Sequence, residues 1–267
     1  MKKEEIELRK AFYDLEKMYR PYFDVLTENQ DLYSEYKGAV TLDGYLNYQP
    51  DVLFLAYNPA HGKYRDYDKD GAHLVYAGEH PFGFFEKGNS RKNGEWWEIN
   101  KAISHTFYAN IIEFLYQYEN ELGFDSEYNT HKKPAWSKDI ENRIMIMNIY
   151  PIATPNCKAL RTLFEKMVAN KAIPEIEMCK EEWDVRKLFI HPLHQFIEHF
   201  VKPKSILCLG KETISDYTWG KSKEHEKGIF VAEDYPHIVG ISRSGTWKYR
   251  AKVSAKSIAD IVKRYND

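Results

Sequence analysis

Short apolar runs with little polar alternation recur along the chain. They cover residues 52–56, 144–149, 205–209 and 237–241. Runs of five or six such residues are typical of strands that are covered on both faces, as in a parallel sheet flanked by helices. The segments before, between and after these runs have a helical pattern or helix-like composition. They predict helices over residues 3–26, 99–118, 160–167, 193–200, 211–218 and 254–265. The pattern predicts an α/β fold, a three-layer α/β/α sandwich with a central four-stranded parallel sheet.

Neither internal repeats nor a low-complexity linker interrupt this pattern. We therefore expect one domain over residues 1–267, with an N-terminal helical extension over about 1–49. Pro21 is expected to kink or end the regular part of the first helix. Residues 61–94 are rich in Gly, Asp, Lys and aromatic residues without periodicity, which predicts a long irregular segment above the sheet.

Bulk composition narrows the environment and the class of partner. No apolar run approaches the roughly 20 residues that span a bilayer, so we expect a cytoplasmic protein without membrane contact. The formal net charge of −2 means that the protein as a whole carries no excess of positive charge that would attract a polyanion. Any surface that binds nucleic acid must therefore be local. Three widely spaced cysteines fit neither a disulfide framework nor a metal knuckle. The irregular spacing of His61, His73 and His80 also argues against a metal site.

The first apolar run leads directly into Asn58-Pro59. In open parallel sheets the ligand crevice lies beyond the carboxyl ends of the strands, which would deliver the Asn58 side chain to a binding site. The alternative is that Asn-Pro is only a turn signal. The residues themselves leave both interpretations open.

Four segments resemble motifs of the uracil-DNA glycosylase superfamily, over about residues 50–265. Phe54-Leu-Ala-Tyr-Asn-Pro-Ala60 is similar to the first motif, written G-I-N-P-G in the mismatch-specific branch and G-E-A-P-G in the thermophile-type branch. Glu79-His-Pro-Phe-Gly83 resembles the G-x-P-F segment, and the run from Met147 to Asn156 resembles the strand T-N-V-V-x-x-x-P-P. The run from His191 to Gly210 resembles the helix-to-strand segment that ends P-K-V-I-V-A-L-G.

The resemblance implies roles for individual residues. Asn58 would position the attacking water, Phe82 would stack on a flipped base and Asn148 would read its edge. Tyr57, inside the first motif, joins the expected base-binding set. An amide is suited to reading uracil because it can hydrogen-bond both N3–H and O4. It does not act as a general base, so Asn58 would orient water rather than deprotonate it.

Two departures from the family pattern affect the expected chemistry. The second catalytic motif, H-P-S or N-P-S in the family, reads Ser242-Arg243-Ser244 here. Arg243, or backbone N–H groups of this turn, would then have to stabilise the departing base in place of histidine. The cysteine of the iron–sulfur branches is replaced by His191, so no cluster and no other cofactor is expected.

The most basic stretch follows the second motif. It contains Trp247, Lys248, Arg250 and Lys252 and is the expected DNA-backbone contact, although such runs are often only solvated surface. The sequence therefore predicts a monomeric, cofactor-free hydrolase that flips and excises uracil or a related damaged base from DNA. The alternative is a divergent, weakly active or inactive member that binds DNA or a nucleobase-containing ligand.

Overall fold

A computed structural model describes residues 2–36, 38–39, 41–42, 46–58, 143–242 and 247–266. The helices are α1 (Lys3–Glu28), α2 (Cys157–Ala169), α3 (Glu182–Phe196), α4 (Lys211–Tyr217) and α5 (Trp247–Asn266), with a 3₁₀ turn at Pro174–Ile176 and a π-helical turn at Ile197–Val201. The strands are β1 (Val52–Ala56), β2 (Ile144–Asn148), β3 (Ile206–Leu209), β4 (Ser222–Glu226), β5 (Ile229–Ala232) and β6 (Ile238–Ile241). The predicted irregular segment 61–94 and the predicted helix 99–118 lie outside the described residues.

The strands form one six-stranded sheet in the order β2-β1-β3-β6-β5-β4. Asp51 N donates to Arg143 O and Ile149 N donates to Ala56 O, so β1 and β2 run in the same direction. β3 and β6 are also parallel, whereas β5 is antiparallel to both β6 and β4. The mixed α/β class with a mostly parallel sheet is confirmed. All four apolar runs of the sequence form strands, namely β1, β2, β3 and β6.

The prediction of four strands missed the β4–β5 hairpin. β4 has the sequence SKEHE and is mostly exposed, so it carries neither an apolar run nor the alternation that marks a half-buried strand. The hairpin turn is at Lys227 and Gly228, and Gly228 has a φ of 82°, a left-handed conformation that favours glycine. Backbone pairing with β5 therefore determines this strand, and its side chains do not reveal it.

The described residues divide into two compact units. The first unit contains residues 2–36, 38–39, 41–42, 46–48, 56–58 and 146–202, and its core is aromatic. The Phe189 ring lies 5.2 Å from that of Tyr19, 4.8 Å from Tyr22, 6.4 Å from Tyr150 and 5.6 Å from Phe164. The Tyr19 hydroxyl donates to Phe189 O at 2.8 Å, so α1 is tied to α3 by both ring packing and a hydrogen bond. The sequence predicted that Pro21 would kink or end the regular part of this helix. α1 continues past Pro21 to Glu28, so the proline does not end it.

The second unit contains residues 49–55, 143–145 and 203–266. Here α4 packs directly on β6: a Cβ atom added at Gly240 would lie 2.6 Å from Ile214 Cγ2. Gly240 therefore permits the close approach of helix and strand. Of the helices that the structure describes, none has the length and apolar character that a membrane span requires.

Asp51, the residue before β1, holds the amino ends of three neighbouring strands together. Its carboxylate contacts Arg143 Nε and Lys204 Nζ, each at 2.6 Å, and these cations precede β2 and β3. The Ser205 hydroxyl donates to Asp51 O at 2.9 Å, and Asp51 N donates to Arg143 O. Partial burial raises the pKa of Asp51, but the hydrogen bonds from Lys204 and Arg143 outweigh burial and hold the pKa below its usual value.

We expect Asp51→Asn to lower the free energy of unfolding by about 1–2 kcal/mol at neutral pH, because charge-assisted hydrogen bonds to two cations weaken together. The folded-state pKa is the lowered one, so this stabilisation is present above the unfolded pKa of about 3.9 and is lost as pH falls through the folded value. Denaturant unfolding measured across that range should show the two proteins converging in acid. Asp24→Asn, at the half-exposed Arg20 pair, is the matched control and should change stability little. A stability difference for Asp51→Asn that does not change with pH would contradict the assignment.

Candidate functional site

Asn58 lies two residues beyond β1 and is fixed by the segment that follows β2. Its Nδ2 atom donates to Thr154 Oγ1 at 2.9 Å and to Ile152 O at 3.3 Å. On the other side of the amide, Oδ1 accepts a long contact of 3.9 Å from Cys157 Sγ. Asn58 therefore has a structural role of its own, because its side chain cross-links the segments that follow two neighbouring strands.

Asn58 follows the strand at which the strand order of the sheet changes direction. The next strand in the sequence, β2, lies on one side of β1, whereas β3 lies on the other side. In open parallel sheets such a reversal of strand order marks the usual position of a ligand crevice, beyond the carboxyl ends of the strands. Asn58 follows the strand at which the order reverses.

A second amide side chain lies at the carboxyl end of the adjacent strand. Asn148 is the last residue of β2, and it is 6% exposed. Its backbone N–H donates to Thr41 O at 3.0 Å. Beyond it, Ile149 N and Tyr150 N donate to Ala56 O and Tyr57 O at 2.9 and 3.0 Å. These two ladder bonds hold the segments carrying Asn58 and Asn148 side by side.

Tyr57, the residue before Asn58, is part of the core. It is 3% exposed, and its ring meets that of Tyr150 edge-on at 5.0 Å. The Arg161 guanidinium is partly desolvated, which lowers its pKa, but its hydrogen bond with Tyr57 outweighs this and raises the pKa above its usual value. The aromatic ring therefore packs internally, while the hydroxyl end lies near a cation of α2.

The loop from Ile152 to Cys157 provides the contacts that the sequence did not identify. Thr154 is fully buried, and its hydroxyl donates to Asn156 O at 2.9 Å. Asn156 then caps α2 by accepting from Ala159 N at 2.9 Å. Only the capping role had a sequence signal, an asparagine following a proline just before a helical segment. The role of Thr154 depends on a residue 96 positions earlier.

The second-motif residues are only partly described. Ser242 follows β6 directly, and its backbone N–H donates to Gly228 O in the β4–β5 turn at 2.8 Å. Arg243 and Ser244 lie outside the described residues, as does Phe82. Trp247, Lys248, Arg250 and Lys252 belong to the first two turns of α5, so the backbone of the basic stretch is helical.

The side chains that contact the Asn58 amide include the hydroxyl of Thr154 and the thiol of Cys157. Across the described ranges, no group of three histidine, cysteine, aspartate or glutamate side chains could hold a metal ion. Amide and hydroxyl groups such as those of Asn58 and Thr154 can recognise a ligand by hydrogen bonds and orient a water molecule. The three histidines of segment 61–94 lie outside the described residues.

Known proteins do not identify the chain further. No protein-family model, curated protein or solved structure matches it. The function of the two amides must therefore be inferred from their geometry and from the motifs in the sequence.

Proposed function

We propose that the protein is a uracil-DNA glycosylase-like hydrolase that excises uracil or a related damaged base from DNA. The observation that carries the proposal is the pair of amide side chains, Asn58 and Asn148, at the carboxyl ends of adjacent parallel strands. Base excision requires a group that reads the edge of a flipped base and a group that positions water for C1′. Two amides at the carboxyl ends of neighbouring strands match these two requirements in residue type.

The contacts of Asn58 specify which of its atoms would position the water. Nδ2 is engaged by Ile152 O and Thr154 Oγ1, so Oδ1 would accept a hydrogen from the water and direct the lone pair of its oxygen toward the sugar. Because the amide is fixed before substrate arrives, little reorganisation is needed at the moment of reaction. Asn148 would bind the Watson–Crick edge, with Phe82 as the stacking surface.

We also propose that the fold is that of a glycosylase-like α/β/α sandwich. The four strands β2, β1, β3 and β6 are neighbours and run in one direction. β1, β2 and β3 lie in three of the four segments that resemble glycosylase motifs, and β6 leads into the second motif. This supports a glycosylase-like three-layer α/β/α arrangement around these four strands, to which β5 and β4 add an edge. Tyr57 would contribute as support for the base pocket, through its contact with Tyr150.

Leaving-group stabilisation is assigned to the turn after β6. Asn58 neither gains nor loses a proton, so most of the acceleration would come from proximity and from stabilising the departing base anion. Ser242, Arg243 and Ser244 occupy the second-motif position and offer hydroxyl, guanidinium and backbone N–H donors. The reaction, hydrolysis of an N-glycosidic bond, would proceed in a monomer without a cofactor.

DNA is the proposed partner, and the start of α5 is its proposed contact. Trp247, Lys248, Arg250 and Lys252 combine three cations with an aromatic ring, the types of residue that bind phosphates and bases.

The alternative function is binding of DNA or a nucleobase-containing ligand without excision. It is favoured by Ser242, which replaces the histidine of the family motif. Incubation with uracil-containing single- and double-stranded DNA, followed by alkaline cleavage at abasic sites, separates the two functions.

We expect Asn58→Ala to slow single-turnover excision by about 10²-fold or more, because the water loses its positioning group, while affinity for uracil-containing DNA stays near the parental value. Excision would be followed as base release with enzyme in excess, and affinity by fluorescence anisotropy. An unchanged single-turnover rate in Asn58→Ala would remove the water-positioning role.

Asn170→Ala is the matched control for this substitution. Asn170 also donates an amide N–H to a backbone carbonyl, Lys166 O at 2.7 Å, but it lies exposed at the end of α2. We expect it to excise at the parental rate. Asn58→Asp is a less informative variant, since a carboxylate oxygen would face Ile152 O, which can only accept a hydrogen bond.

A separate prediction concerns the basic stretch. Replacing Lys248, Arg250 and Lys252 together with glutamine should weaken DNA binding and reduce the slope of log K against log salt by up to about 0.9 for each phosphate that is no longer neutralised. Replacing the exposed lysines Lys3, Lys10 and Lys17 of α1 makes the same change in charge and serves as control. Equal salt slopes in the two triple variants would rule out a specific role for the start of α5.

A further inference from the structure

The groups around Asn58 determine which way its amide points. The oxygen and nitrogen of an asparagine side chain are similar in size, so their assignment depends on the hydrogen bonds that each can make. Ile152 O is a carbonyl and can only accept, so the atom 3.3 Å from it must be the donor Nδ2. The reversed amide would place two acceptors against each other.

Thr154 strengthens this preference because its own hydrogen is already directed elsewhere. A hydroxyl has one hydrogen to donate, and Thr154 donates it to Asn156 O at 2.9 Å. Toward Asn58 the hydroxyl therefore acts as an acceptor, and it receives the shorter of the two Nδ2 bonds, at 2.9 Å. The result is a directional chain of donors from Asn58 through Thr154 to the backbone just before α2.

The burial of Thr154 makes this chain rigid. The side chain is 0% exposed, so water does not compete for its hydroxyl, and removal of a partner would leave a buried polar group unsatisfied. Asn156, which accepts the hydrogen, is itself fixed as the cap of α2. The orientation of the Asn58 amide is thereby coupled to the start of a 13-residue helix.

We propose that Thr154 is a positioning residue that, together with the longer bond to Ile152 O, fixes the amide orientation of Asn58, with Nδ2 turned toward the loop and Oδ1 turned toward Cys157. This inference rests on the proposed function for its catalytic consequence: Oδ1 is the atom that would hold the attacking water. Thr154 acts through Asn58 and does not touch the substrate.

Cys157 provides a way to observe the amide that does not depend on catalysis. It is exposed, and its Sγ atom lies 3.9 Å from Asn58 Oδ1. The thiolate is the form that reacts with alkylating reagents, and it is stabilised by an N–H group but not by a carbonyl oxygen. A reversed amide would therefore make this thiol more reactive.

The test compares Thr154→Val, which removes the hydroxyl, with Thr154→Ser, which retains it. Each protein is alkylated with iodoacetamide, and modification of the peptide that contains Cys157 is quantified by mass spectrometry, which separates it from Cys179 and Cys208. We expect alkylation of Cys157 to be at least about threefold faster in Thr154→Val than in the parent, and near the parental rate in Thr154→Ser. Asn58→Ala calibrates the rate without an amide.

Single-turnover excision provides the second readout. Thr154→Val should slow excision by about tenfold without changing DNA affinity, because one of the two bonds that fix the amide is removed. Thr154→Ser keeps the hydroxyl and should excise at the parental rate. Thermal unfolding of both variants checks that the fold is retained, and a Thr154→Val protein that does not fold is replaced by Thr154→Ala.

The two proposals fail in different ways. Equal alkylation rates in the parent and in the folded variant without the hydroxyl would overturn the positioning role of Thr154. Parental excision by that variant would also overturn it. If the parent itself releases no base, the glycosylase proposal is removed, and the alkylation rates still decide whether Thr154 orients the amide.

Discussion

The hydrogen-bonded position of β1 between β2 and β3 is the constraint on which the rest of the described structure depends. All five residues of β1 are buried, so their backbone groups are paired within the sheet rather than with water. Asp51 fixes the amino end through two cations and a ladder bond, and the bond from Tyr150 N to Tyr57 O fixes the carboxyl end. A slip of one residue would move every β1 side chain to the opposite face. The position of Asn58 therefore follows from the register of the strand.

The chemistry at the two ends of β1 differs in a way that suits their roles. At the amino end, a carboxylate with a lowered pKa is paired with two cations, an arrangement that stabilises the fold. Beyond the carboxyl end, the neutral amide of Asn58 is hydrogen-bonded to the hydroxyl of Thr154. Amides read a ligand through fixed donors and acceptors and do not change charge near neutral pH. This separation would allow the proposed recognition site to be rigid without a buried charge, which is costly unless it is paired.

Sequence alone predicted much of the sheet but little of the bonding at the candidate site. The four parallel strands were recognisable because strands buried on both faces must be apolar throughout. β4 was not recognisable, because a strand such as Ser222–Glu226 is determined by backbone pairing rather than by its exposed side chains. Asn58 could be singled out because it follows an apolar run, and Asn148 because the segment that contains it resembles a glycosylase motif. Thr154 could not, because a threonine acts as a donor relay only through neighbours that are distant in sequence and brought together by folding.

The hydrogen bonds around Asn58 limit what any catalytic mechanism can ask of it. With both hydrogens of Nδ2 directed to Ile152 O and Thr154 Oγ1, a water molecule that the amide positions would be held by Oδ1. An amide oxygen can orient that water but can remove its proton only very weakly. In the proposed reaction, most of the acceleration would therefore come from stabilising the leaving group. Ser242, which follows β6, is held by a backbone bond to Gly228 in the turn of the β4–β5 hairpin. The β4–β5 edge of the sheet thus helps to position Ser242, and its role extends beyond closing the sheet.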